Sequence, residues 1–190
     1  TQGTPVTIIT QPSSFEVFAT SDGSLSVVAS GDGLIYQWYK VDENGDIKLE
    51  GATSSTLSFE NIQAEKVGSY YCVITNPAGS VQTTTVSVNV KPIPSIATQP
   101  EVLDIFANND GSLSVSATGD GLTYQWYFNG EAIEGATEST LNFEDIQLDK
   151  IGSYYCVISN PAGSVQTTSG RVVVKPVPSI TAQPESLEIF

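Results

Sequence analysis

The sequence predicts an all-β protein: two tandem Greek-key β-sandwiches followed by the first strand of a third. Three observations carry this. Long stretches recur almost unchanged at a fixed offset, apolar residues alternate with polar ones, and Gly, Pro, Asn and Asp punctuate the chain every ~8–12 residues.

The repeat comes first, because it sets the frame for every other element. Tyr70-Tyr71-Cys72-Val73-Ile74 returns as Tyr154-Tyr155-Cys156-Val157-Ile158, an offset of 156 − 72 = 84. Asn76 to Val81 returns as Asn160 to Val165 at the same offset. Tyr36-Gln37-Trp38-Tyr39 returns as Tyr124-Gln125-Trp126-Tyr127, at 126 − 38 = 88. The first copy therefore carries four extra residues after its tryptophan, in the loop around Asp42 to Asp46. Gln11-Pro12, Gln99-Pro100 and Gln183-Pro184 each open an alternating segment that ends in Phe18, Phe106 or Phe190. The expected organisation is domain one over residues 5–91 and domain two over 92–175. Residues 176–190 are expected to form a linker and the first strand of a third copy. Lys91-Pro92-Ile93-Pro94 and Lys175-Pro176-Val177-Pro178 are the connectors. Two prolines in four residues fix φ twice and predict stiff, extended junctions. The chain contains no Met and shows no secretion signal at Thr1. A processed or excised piece of a longer parent is expected.

Within each copy the strands follow from period-two alternation. Leu25, Val27 and Ala29 share a face, as do Leu113, Val115 and Ala117 against Ser112, Ser114 and Ser116. Tyr36 and Trp38 point inward while Gln37 and Tyr39 point outward. Leu57 with Phe59, Tyr70 with Cys72 and Ile74, and Val86 with Val88 and Val90 complete the inward sets. Asp22-Gly23, Gly31-Asp32-Gly33, Asn44-Gly45 and Asn76 to Gly79 supply the turns.

Composition removes whole classes of function. Seven basic and 21 acidic residues leave a net charge of −14. Such a surface repels nucleic-acid phosphates and anionic bilayers. Apolar runs are strand-sized, so no membrane insertion is expected in this segment. The chain has no His, which removes the commonest general base and metal ligand. Ser/His/Asp and Cys/His catalysis are excluded, and so are zinc sites. Gly31-Asp32-Gly33 opens no helix and carries no Lys-Ser/Thr, so it is not a phosphate loop. Glu60 and Glu65 would need a cleft to act as a glycosidase pair, and a filled sandwich provides none. The expected protein is not an enzyme.

Trp38 followed by Gly68-Ser69-Tyr70-Tyr71-Cys72, repeated by Trp126 and Gly152 to Cys156, resembles the immunoglobulin superfamily, and its intermediate-type sets in particular. The resemblance implies a strand-C tryptophan packed near a strand-F cysteine, with Tyr70 and Tyr154 as tyrosine corners. The core signature it implies is therefore Trp38, Tyr70, Cys72, Trp126, Tyr154 and Cys156. Within the family the composition is most similar to bacterial surface-protein repeats. Two departures stand out. Val27 and Val115 occupy the family's strand-B cysteine positions, and Lys66 and Lys150 replace the usual aspartate. With one Cys per copy no bridge forms inside a domain, so buried free thiols are expected.

Three candidate sites remain. Asp22, Asp32, Asp110 and Asp120 lie in Gly-containing turns and are weak Ca²⁺ ligands, although their spacing fits no EF-hand and Asp-Gly is ordinary turn chemistry. No other cofactor is expected. Tyr39, Tyr71, Tyr127 and Tyr155 form an exposed contact face, or else a cross-strand pairing that stabilises the sheet. The strand 179–190 either lies along the end of domain two or adds to the sheet of another copy by β-strand addition. Neighbouring repeats are the expected partners, with a glycan or protein ligand as a further one. Together these readings point to a non-catalytic extracellular repeat at a cell surface, a stalk or spacer of a bacterial adhesin or filament. The alternatives are a ligand-binding module of a larger secreted protein and a phage virion decoration protein.

Overall fold

The computed structural model describes residues 3–188. The main boundary between its two compact units falls between Ile93 and Pro94.

Unit one contains β1 (Thr7–Thr10), β2 (Phe15–Phe18), β3 (Gly23–Ser26), β4 (Val28–Ser30) and β5 (Ile35–Lys40). It continues through β6 (Ile47–Lys48), β7 (Thr56–Phe59), β8 (Gly68–Asn76), β9 (Gly79–Gln82) and β10 (Val86–Lys91). One sheet runs β2-β10-β8-β5-β6, with β9 also on β8. The opposing layer is made of the pairs β1-β4 and β3-β7. All pairs are antiparallel except β2 with β10, which is parallel. Unit two repeats this with β11 (Ser95–Thr98), β12 (Leu103–Phe106), β13 (Gly111–Ser114), β14 (Ser116–Thr118) and β15 (Thr123–Phe128). Its remaining strands are β16 (Glu131–Ala132), β17 (Thr140–Phe143), β18 (Gly152–Asn160), β19 (Gly163–Gln166) and β20 (Gly170–Lys175).

The repeated Gln-Pro turns out to be a crossing point. β1 pairs with β4 in one layer, and after Pro12 the chain moves to the other layer as β2. Proline has no N–H to give to a ladder, so it suits the break. The glutamine fastens the crossing: Gln11 Oε1 accepts from the Thr84 N–H at 2.9 Å, and Gln99 Oε1 from Thr168 at 2.9 Å.

The four-residue difference between the copies is a change of turn. Asn129 and Gly130 join β15 to β16 with φ of 47° and 92°. This left-handed backbone suits Asn and Gly, as a two-residue hairpin demands. The first copy spans the same gap with Val41 to Asp46.

Each unit buries its own core. Leu25, Val27, Trp38, Phe59, Tyr70, Cys72, Ile74 and Val88 form one cluster. Leu113, Val115, Trp126, Phe143, Tyr154, Cys156, Ile158 and Val172 form the other. Both tryptophans are 0% exposed. Their indole N–H groups donate to Ser54 O and Glu138 O, each at 2.8 Å. A buried indole without such an acceptor would lose part of its packing gain.

The terminal segment corrects one expectation. Residues 176–188 form no strand and are exposed, and Phe190, expected to end that strand, lies outside the described residues. The reason is the absence of a ladder. In each copy this segment is held by a later strand of the same domain, as β11 is by β14 and β12 by β20. Among the described residues no strand pairs with 176–188. A strand with no partner leaves its backbone groups to water.

Candidate contact face and core signature

The outward positions of β5 and β8 bring the tyrosines together in register. Tyr39 pairs with Tyr71 and Tyr127 with Tyr155 across the ladder. Their rings stack, with centroids 5.3 Å apart at 11° in unit one and 4.9 Å apart at 5° in unit two. All four side chains are half-buried. The longer first-copy loop adds a group that sequence reasoning missed: the Tyr71 hydroxyl donates to Asp46 Oδ2 at 2.8 Å. Partial burial and this carboxylate push the Tyr71 phenol above its ordinary value. Only the four-residue insertion pointed to an extra side chain here, and the short Asn129-Gly130 turn leaves no counterpart.

On the inward face, the Tyr70 and Tyr154 hydroxyls donate to the carbonyls of Lys66 and Lys150 at 2.7 and 2.9 Å. The acceptor is the backbone, so the corner forms with a lysine at that position. Burial, with Asp149 nearby, pushes the Tyr154 phenol up to about 12. Replacing Tyr154 with Phe removes this bond alone. Chemical denaturation should then show unit two losing about 1 kcal/mol. Thr83 and Thr167, which were not singled out from sequence, are buried and accept the N–H of Cys72 and Cys156 at 2.9 Å.

Cys72 and Cys156 are free and 0% exposed. Burial pushes the Cys72 thiol up to about 11 and raises Cys156. Labelling of native protein at neutral pH should therefore be slow, and it should become fast on unfolding. The same shifts set a pH dependence. The unfolded thiol and phenol titrate near ~8.5 and ~10, below their folded values, so the native state holds these protons more tightly. Their stabilisation is complete below the unfolded values and is lost as pH rises through about 11 for Cys72 and about 12 for Tyr154. A melting-temperature series from neutral to alkaline pH should fall across that window.

The four aspartates are not brought together. Asp22 Oδ1 accepts from Asn61 N–H and Asp110 Oδ1 from Asp145 N–H, both at 2.9 Å. Asp32 Oδ2 accepts from Thr4 N–H at 2.9 Å, and this bond holds its carboxyl below the usual value. Asp120 takes part through its backbone carbonyl, which accepts from Asn160. Each aspartate is thus placed in its own loop. Among the described residues no three His, Cys, Asp or Glu side chains are grouped to hold a metal, and no helix is long and apolar enough to cross a membrane.

Comparison with known proteins gives the class. Residues 6–90 match the immunoglobulin I-set domain. Neurofascin of Gallus gallus is 32% identical over 171 residues, which is 83% of this chain and 12% of neurofascin. The tyrosine-protein kinase-like otk of Drosophila melanogaster is 30% identical over 154 residues, 73% of this chain and 15% of otk. The chain thus spans less than a sixth of the length of these relatives. A structure of titin domains I67-I69 superposes with a TM-score of 0.69 at 20% identity, covering 98% of this chain and 71% of that one, a likeness of fold. Extracellular domains 3-5 of Drosophila OTK superpose with a TM-score of 0.51 at 25% identity, covering 90% and 62%. The chain belongs to the immunoglobulin superfamily. It is a pair of tandem immunoglobulin-like repeats, each with its own buried core. The likeness to bacterial surface repeats expected from composition has no support in these relatives, which are animal proteins.

Proposed function

We propose that this repeat pair is a structural spacer within a longer cell-surface protein, adding length between an anchored end and a recognising tip. The observation that supports this reading is the repetition of a complete, separately buried core in each copy. One surface hollow, of about 400 Å³, lies over Lys40, Leu57, Glu60 and Tyr70. A spacer needs autonomous folding and solubility, and the acidic surface serves the second. The bacterial setting is not needed for this role.

The test displays a tip of known ligand on cells above zero, one or two copies of the pair. A spacer extends the distance at which the tip engages a surface and leaves its affinity unchanged. Cells carrying the pair without a tip should not adhere. Adhesion of those cells, abolished by Tyr39→Ala or Tyr127→Ala, would favour the second reading. In that reading the tyrosine face binds a protein or glycan, and the half-buried stacked pairs are what favour it.

A further inference from the structure

The geometry points to the two tyrosine pairs as sites of oxidative cross-linking, Tyr39 to Tyr71 and Tyr127 to Tyr155, by a peroxidase-class one-electron oxidant. This is independent of the spacer reading.

Coupling of two phenols requires that they meet in a defined pose and remain accessible. Both pairs sit directly opposite on neighbouring strands, so the ladder fixes their register. Both stack nearly parallel, with centroids 5.3 and 4.9 Å apart. All four rings are half-buried, so an oxidant reaches them from the solvent side. The other four tyrosines differ: Tyr70 and Tyr154 are buried, with hydroxyls committed to backbone carbonyls, and Tyr36 and Tyr124, also half-buried, pack against the two cores.

The chemistry balances. Each phenol loses one electron and one proton to give a neutral phenoxyl radical. The two radicals join through ring carbons ortho to their oxygens, and each ring regains aromaticity by moving the displaced hydrogen to oxygen. Each pair thereby loses two hydrogen atoms. One peroxide accepts those two electrons and two protons and becomes two waters. In unit one Asp46 Oδ2 already accepts a hydrogen bond from the Tyr71 hydroxyl at 2.8 Å, so a base is in place as the electron leaves. Asp46 acts here as a positioning residue and proton acceptor, and unit two has no equivalent loop.

The product closes 71 − 39 = 32 residues in unit one and 155 − 127 = 28 in unit two. It would act as a covalent strap in domains that lack a disulfide. Closing a loop restricts the unfolded chain in the same sense that a disulfide does.

The test oxidises the intact 190-residue chain at low concentration with peroxidase and hydrogen peroxide, and then with a photogenerated one-electron oxidant. Dityrosine fluorescence and peptide mass mapping should place the links at 39–71 and 127–155 in monomeric protein. Melting temperature should rise by several degrees. Tyr39→Phe and Tyr127→Phe keep the stacked ring, and each should remove only its own link, with the circular dichroism of the unoxidised protein unchanged. Asp46→Asn should slow the unit-one link several-fold and leave the unit-two link unaffected. Links found only between molecules, links mapped to Tyr36 or Tyr124, or a 39–71 link that survives in Tyr39→Phe would overturn the assignment. An Asp46→Asn rate equal to that of the unsubstituted chain would overturn the role given to Asp46.

Discussion

Replacing Trp38 with alanine is expected to destabilise the first sandwich strongly and leave the second standing. Trp38 is fully buried and packs with Cys72, Tyr70 and Leu25. Removing a large buried aromatic costs ~3–5 kcal/mol, through lost transfer energy and the cavity left behind. A domain of this size is stable by only ~5–15 kcal/mol, so a large share of its margin disappears. The indole also leaves Ser54 O without its donor, which adds to the loss. The second core contains no residue of the first, so a calorimetric scan should show one transition moved far down and the other in place. Trp126 is then the sole tryptophan, and its fluorescence reports the intact unit. A scan with both transitions unmoved, or both lost together, would contradict the two-core account.

The opposite change is expected from Val27→Cys. Val27 and Cys72 lie in one buried cluster, and the family resemblance puts a cysteine at the Val27 position. Oxidation should join the two thiols and close 72 − 27 = 45 residues. The chain-entropy relation gives about 4 kcal/mol for a loop of that length, less whatever the bridge loses to strain and to the missing valine methyls. A net gain of ~2–3 kcal/mol in denaturant stability is expected under oxidising conditions, and it should vanish with reductant. Mass spectrometry that finds both thiols free after oxidation would refute the proposed pairing. Val115→Cys should do the same for Cys156.

Much of this was legible from local pattern. Alternation along Leu25-Ser26-Val27 and along Tyr70-Tyr71-Cys72 assigns faces, because a strand sends successive side chains to opposite sides. That alone buried Trp38, Tyr70 and Cys72 and set Tyr39 and Tyr71 outward. Duplication made each assignment twice, with Trp126, Tyr154, Cys156, Tyr127 and Tyr155 on the matching positions. The family resemblance, read from the same residues, supplied the tyrosine corner.

The sequence by itself determined which side chains face the core, how many cores there are, and that these 190 residues offer no imidazole. Those follow from composition and from a period of two, both local properties of the chain. Only the tertiary structure decided that Asp46 reaches Tyr71 across 25 residues, and that Gln11 fastens a strand crossing to Thr84 across 73. It also decided that Thr83 caps the Cys72 backbone, that the turn aspartates stay apart, and that residues 176–188 make no ladder. A hydrogen bond between distant residues depends on where the whole backbone brings its two ends, and no short window of sequence contains both.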